Sequence, residues 1–144
     1  MDETVAADSG SGRPPVLVST EARVHFDQVD AFGIVYFARY WDWYHHAFEQ
    51  LLSDLGHALP DLLREGLGFP AVHADIDYRG MLYLGDLVRC HLTITRVGRR
   101  SITLAGTFVD DAGRQLAEAT TVHVAVLKDG SSAELPQWLR QAAP

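Results

Sequence analysis

The residues best equipped for chemistry lie in the first third of the chain. Positions 27–36 read DQVDAFGIVY, which keeps neither a helical nor a strand period and carries two carboxylates, Asp27 and Asp30, ahead of Gly33. An aspartate in a loop ending at glycine is, on its own, an Asx-turn residue that bonds its neighbouring backbone. The same carboxylate is a nucleophile or general base once a substrate carbonyl is brought to it. His45 and His46 are adjacent, so on a helix they point about 100° apart and cannot share one metal. With no further ligand pair at helical spacing, no metal is expected. Cys90, the only cysteine, sits in a strand-like run, and no G-x-S-x-G elbow accompanies the serines, so thiol and serine hydrolase chemistry lack support. G-x-G-x-x-G and P-loop patterns are absent as well. Arg99, Arg100 and Ser101 fall in a turn, where guanidinium forks suit phosphate oxygens and an ordinary solvated hairpin turn is the equal alternative.

The elements that must position these groups follow from periodicity. In 20–26, Thr20, Ala22, Val24 and Phe26 alternate with Glu21, Arg23 and His25, which predicts a half-buried strand. From Phe37 to Leu55 the apolar positions Phe37, Tyr40, Trp41, Tyr44, Phe48, Leu51, Leu52 and Leu55 recur at steps of three and four, predicting one amphipathic helix with Trp43 on its shoulder and Gly56 as its stop. A short helix is expected in LPDLLREG. Period-two alternation predicts strands at 71–79 and 87–95, and two more at about 101–109 and 115–127. The VGRR and DDAG turns join the last three, and a short terminal helix is expected near 134–141. The reading is one strand, one long helix and four strands in a meander. A single apolar helix buries itself only if the sheet curls around it. The fold class is therefore α+β, a long central helix wrapped by a curved antiparallel sheet of about five strands.

At 144 residues the chain suits one domain, expected over 16–144. Residues 1–15, acidic and rich in Ser, Gly and Pro, are expected to form a disordered tail. Nineteen acidic against 12 basic residues, a net charge of −7, argue against a general nucleic-acid binder. No apolar run approaches a membrane span, and the lone cysteine fits a reducing compartment, so a cytoplasmic location without membrane partners is expected.

The stretch VHFDQVDAFGIVYFARYWDWYHHAFEQLL at 24–52 resembles the 4-hydroxybenzoyl-CoA thioesterase family of the hotdog fold. The family pattern of an aspartate, a glycine three residues on, a small apolar pair, an aromatic, and a tyrosine ten residues after the aspartate is met by Asp30, Gly33, Ile34, Val35, Tyr36 and Tyr40. GFPAV at 68–72 and DYRGMLYLGD at 77–86 extend the resemblance, which covers nearly all of 20–127. It implies that Asp30 attacks an acyl thioester or activates water against it, and that the backbone N–H of Phe37, at the start of the long helix, polarises the carbonyl. Asp27 lies out of register with the pattern and keeps the structural reading. The resemblance also implies that Arg99, Arg100 and Ser101 meet the phosphates of coenzyme A. Tyr36, Tyr40, His45 and Phe69 are the candidate acyl-binding residues, together with Trp41.

Two departures bear on the acyl group. His45 stands where members commonly have Asp or Glu, and Phe37 stands where many short-chain members have His and aromatic-acyl members an aromatic side chain. The second favours an aromatic or bulky acyl group. The resemblance further implies acyl-CoA or an acyl carrier protein as partner, a homodimer or homotetramer, and no cofactor beyond the coenzyme A of the substrate. Hydratase chemistry needs a loop His that is missing between Asp30 and His45. A non-catalytic acyl-CoA-binding module would not need Asp30.

Overall fold

The computed structural model describes residues 14–143. Strands β1 Val18–Arg23, β2 Leu67–Gly68, β3 Ala71–Tyr78, β4 Leu87–Val97, β5 Ser101–Asp110, β6 Gln115–Leu127 and β7 Ser132–Ala133 alternate with helices α1 Tyr40–Asp54, α2 Leu59–Arg64 and α3 Gln137–Arg140. The five long strands form one antiparallel sheet in the order β1-β4-β5-β6-β3, with two-residue β2 and β7 also paired to β6. The expected meander is corrected in one place: β3 lies beside β6 and not β4, and β1 takes the place next to β4. The chain between β3 and β4, residues 79–86, is no tight turn. It buries Leu82 and bridges Tyr83 to Ile34, which carries the chain across the end of the sheet. The short turns before β5, β6 and β7 make hairpins. As the edge strand, β3 is exposed along nearly its whole length.

Alternation in β4, β5 and β6 places Cys90, Leu92, Ile94, Ile102, Leu104 and Phe108 inward. They close over α1, whose Tyr40, Trp43, Tyr44, Ala47, Phe48, Leu51 and Leu52 are buried. Gly106 is required here, because a Cβ at that position would stand 2.7 Å from the Tyr44 ring. Three expectations shift. Phe26 is exposed because β1 ends at Arg23 and residues Phe26–Gln28 form a 3₁₀ turn, which breaks the alternation. Phe37 is exposed because the first turn of the predicted helix, Phe37–Arg39, is 3₁₀ and its tighter winding rotates the ring off the apolar stripe. Trp43, expected on the shoulder, is buried.

Burial pushes the Cys90 thiol up to about 12, so it stays neutral and serves as a small core hydrophobe. Residues 1–13 of the expected tail lie outside the described residues. At Pro15 the backbone carbonyl accepts a hydrogen bond from Thr93 Oγ1 at 2.7 Å, fixing the approach to β1. Among the described residues no helix is long and apolar enough to cross a membrane.

Candidate active site

The loop between β1 and α1 is a small hairpin. Val29 and Val35 form an antiparallel bridge, Asp30 N–H donates to the Ile34 carbonyl at 2.8 Å, and Gly33 N–H donates to the Asp30 carbonyl at 3.0 Å. Gly33 turns the chain with φ +77°, a conformation that glycine adopts without strain. Asp30 Oδ1 accepts from Phe32 N–H at 2.8 Å and from Ile34 N–H at 3.4 Å. The Asx-turn reading thus describes one oxygen only. Among the described residues Oδ2 accepts no hydrogen bond, and Asp30 is exposed. Asp27 sits outside this hairpin in the preceding 3₁₀ turn.

Tyr36 N–H is tied back to the Gln28 carbonyl at 2.9 Å, and from there the helix begins. Arg39 N–H makes the first helical bond, to Tyr36, at 2.8 Å. Tyr36 supplies no side-chain cap. The N–H groups of Phe37 and Ala38 are therefore left over at the positive end of the helix, where they suit a developing oxyanion. Tyr78 Oη donates to the Phe37 carbonyl at 2.7 Å and so fixes this peptide to the end of β3. This bond was not visible in the sequence, where Tyr78 read as an alternating strand residue and as part of DYRGMLYLGD, with no role of its own.

The remaining candidates are spread along α1. The rings of Tyr36 and Phe37 pack at a tilt of 51° just ahead of it, with centroids 4.8 Å apart. Tyr40 lies beneath them in the core against Phe108 and Tyr78, and burial with the neighbouring Tyr78 hydroxyl pushes its own up to about 12. Further along, a cavity of about 300 Å³ opens between α1 and the sheet, with Trp41, Tyr44, His45 and Phe48 on the helix side. His45 Nε2 is 2.8 Å from Glu49 on the next turn, so one of its two ring nitrogens is engaged on its own helix. Phe69 is buried behind Phe48, and its carbonyl accepts from His123 Nδ1 at 2.9 Å. A second cavity of similar size lies on the outer face of the sheet, among Asp75, Asp77, His91 and Thr107, away from α1.

Arg99, Arg100 and Ser101 lie at the other end of the sheet. The 79–86 loop ties the Asp30 hairpin to the start of β4, whereas the arginine turn follows its end, and a strand of 11 residues spans roughly 35 Å. Within one chain these residues do not meet Asp30. Their backbone is committed to structure, the Arg99 carbonyl accepting from Leu135 N–H at 2.9 Å and the Arg100 carbonyl from Ala125 N–H at 3.3 Å. Both side chains are exposed, and among the described residues neither guanidinium makes an ion pair. No group of three metal-ligating side chains gathers among the described residues.

Comparison with known proteins places this geometry. The sequence profile of the thioesterase-like superfamily matches residues 24–143. The 1,4-dihydroxy-2-naphthoyl-CoA hydrolase of Crocosphaera subtropica is 31% identical over 125 residues, covering 81% of this chain and 91% of that protein. The crystal structure of a 1,4-dihydroxy-2-naphthoyl-CoA thioesterase from Synechocystis superposes with a TM-score of 0.80 at 29% identity, covering 87% of this chain and 93% of the other. A gentisyl-coenzyme A thioesterase superposes with a TM-score of 0.80 at 27% identity, over 85% and 98% of the two chains. The expected hotdog fold is the fold found, one long helix held in a curved antiparallel sheet, and the chain belongs to the thioesterase-like superfamily.

Proposed function

We propose that the protein hydrolyses acyl-CoA thioesters, with Asp30 as nucleophile or general base and the Phe37 N–H as the group that polarises the carbonyl. The observation that carries this is a carboxylate with one free oxygen, held by its own turn in the hairpin that leads directly into the uncapped helix start at Phe37. Attack by Asp30 Oδ2 on the thioester carbon would form an acyl-aspartyl anhydride and expel the coenzyme A thiolate, and water would then cleave the anhydride. Alternatively Asp30 takes a proton from water, which attacks directly. In both routes the oxyanion develops towards the Phe37 N–H, and a thiolate leaves without strong acid assistance. The relatives named for naphthoyl-CoA and gentisyl-CoA support an aromatic acyl group, as does the ring of Phe37. Within the superfamily, the Asp30 pattern favours the 4-hydroxybenzoyl-CoA thioesterase family. We place the enzyme in the cytoplasm, as a single domain over 16–144 that needs no cofactor of its own.

A thiol-release assay against aromatic, short-chain and long-chain acyl-CoAs tests the reaction. Turnover is expected with the aromatic set; silence across the whole panel, followed by release from acylated carrier protein, would replace the CoA reading with the carrier-protein one.

The working unit is a homodimer built on the free edge of β3. Two β3 edges pairing antiparallel around a two-fold axis reverse the partner's sheet end for end. That operation carries the partner's Arg99 and Arg100 towards the end of the sheet that holds Asp30, bridging the separation found within one chain. Sedimentation is expected to give a dimer or a pair of dimers. Arg99→Ala with Arg100→Ala is expected to raise KM for an acyl-CoA about tenfold or more with kcat little changed, as loss of two phosphate contacts implies. Mixing this inactive-at-low-substrate variant with Asp30→Ala by unfolding and refolding together should restore part of the wild-type rate, since half of the sites in mixed dimers carry intact residues from both chains. No restoration would mean that the arginines serve their own chain or no chain.

A further inference from the structure

The cavity along α1 ends in a buried polar cluster that the proposed chemistry does not use. On β6, Thr121 and His123 are 3% and 7% exposed, and both face α1. Tyr44 Oη lies 2.7 Å from Thr121 Oγ1 and 3.2 Å from the Leu104 carbonyl, and His123 Nε2 lies 3.0 Å from the same Thr121 oxygen. On the neighbouring strand, the register sets Ala71 opposite His123 and Ala74 opposite Thr121. Two methyl groups where larger side chains would fill the space leave the cluster open to the cavity.

The direction of each hydrogen bond can be worked out. The Phe69 carbonyl can only accept, so His123 Nδ1 carries a proton and donates to it. Burial lowers the affinity of this ring for a second proton, and the nearby His45 acts in the same sense, against the opposing pull of the Phe69 bond. The ring is neutral, and Nε2 accepts from the Thr121 hydroxyl. Thr121 Oγ1 in turn accepts from Tyr44, or Tyr44 donates to the Leu104 carbonyl. Every hydrogen in the cluster is then committed, while the Thr121 and Tyr44 oxygens keep lone pairs. The floor of the cavity offers acceptors and no donor. Were His123 to take up a second proton, the chain of donors would reverse toward Leu104 and the same oxygens would still hold the only spare capacity.

Resting on the acyl-CoA reading above, we infer that this cavity holds the acyl group and that Thr121, with Tyr44 and His123 behind it, selects an aromatic acyl group bearing a hydroxyl at the end remote from the thioester. The reach fits a two-ring group. Tyr44 lies seven residues beyond Phe37, about 10 Å along the helix from the N–H that polarises the carbonyl. Phe48, the two alanines and the ring faces of Trp41 make the rest of the wall apolar, apart from His45, whose Nε2 is engaged by Glu49 at 2.8 Å. A ketone or ether oxygen at the same place would face lone pairs and find no donor, so the site rejects it as well as the unsubstituted ring.

Equilibrium binding of two free acids, 6-hydroxy-2-naphthoic acid and 2-naphthoic acid, tests this by calorimetry on the full chain. Wild type should bind the hydroxylated acid about tenfold or more tightly, the size of one satisfied hydrogen bond to a buried hydroxyl. Thr121→Val, which keeps the shape and removes the hydroxyl, should bring the ratio close to one, and Thr121→Ser, which restores the hydroxyl, should recover it. The same ratio is expected in kcat/KM for the two naphthoyl-CoA esters. Equal affinities in wild type, no binding of either acid, or a preference that survives Thr121→Val overturns the inference. Thiol release from 6-hydroxy-2-naphthoyl-CoA, the ester the site accepts, reports separately on the reaction. Its absence removes the hydrolase reading, while the ratio between the free acids still decides the role of Thr121.

Discussion

Asp30→Asn is expected to lower kcat by about 10²- to 10⁴-fold, the range for removal of a positioned acid–base group, while thermal unfolding stays within about 2 °C of wild type. The reason lies in the division of labour between the two oxygens of this side chain. Oδ1 holds the turn through Phe32 and Ile34, and an asparagine amide oxygen accepts the same two bonds. Oδ2 is the oxygen left for chemistry, and replacing it with an amide nitrogen removes the negative charge that attacks carbon or draws a proton from water. Asp30→Ala removes both functions. It should show the same loss of turnover together with a fall in stability of about 1 kcal/mol for the lost turn bonds. The pair separates the two readings that a lone loop aspartate allows. If Asp30 were only a turn residue, the asparagine variant would turn over at the wild-type rate and only the alanine variant would fail, and that outcome would remove Asp30 from the mechanism.

How far the site could be read from sequence depended on whether the signal was local. Alternation in 87–95, 101–109 and 115–127 names the inward residues of β4, β5 and β6 because period two is a property of each strand alone. The α1 stripe is local in the same sense, and so are the hairpin turns. Which strands become neighbours is not local. The pattern of β3 is the same whether it lies beside β4 or β6, and only the length and burial of the 79–86 loop decide between them. Phe26 and Phe37 misled for another reason: each is the first residue of a 3₁₀ turn, where the preceding or following period no longer applies.

The candidate site divides along the same line. Asp30, Gly33 and the start of α1 sit within a few residues of one another, so the resemblance could carry them. Thr121 meets Tyr44 across 77 positions of sequence and links it to His123, and nothing in TTVHV distinguishes them from other inward residues of a strand. The one available hint was that His123 falls on the buried phase of its strand, where a histidine requires partners on both ring nitrogens. Arg99 and Arg100 read correctly as a turn, but the distance from that turn to Asp30 becomes visible only when β4 is laid out at full length.

Phe108→Ala should be the most damaging single truncation in the core near the site, destabilising the protein by about 3–5 kcal/mol and lowering its unfolding midpoint by about 10 °C or more. Phe108 is fully buried on β5, between Cys90 on β4 and Ala117 on β6. Its ring meets Tyr40 edge-on at 5.3 Å and Tyr44 at 6.5 Å, so it supports the first turns of α1 from the sheet side. The neighbouring strand residues are too small to move into the space, and the cavity would persist beneath Tyr40. Loss of that support should also reach the chemistry. Tyr40 shares its other face with Tyr78, whose hydroxyl holds the Phe37 carbonyl, and a small shift there passes through the Phe37 Cα to the preceding peptide, whose N–H polarises the substrate. A fall in kcat well below the unfolding temperature is therefore expected, with KM changed less. Phe108→Leu fills part of the cavity and should recover about half of the stability and most of the rate. Phe26→Ala, which removes an equal ring from an exposed position, should change stability by less than about 0.5 kcal/mol. Equal unfolding midpoints for Phe108→Ala and Phe26→Ala would show that the helix is not held in the sheet through this contact, and the route from the core to the Phe37 peptide would fall with it.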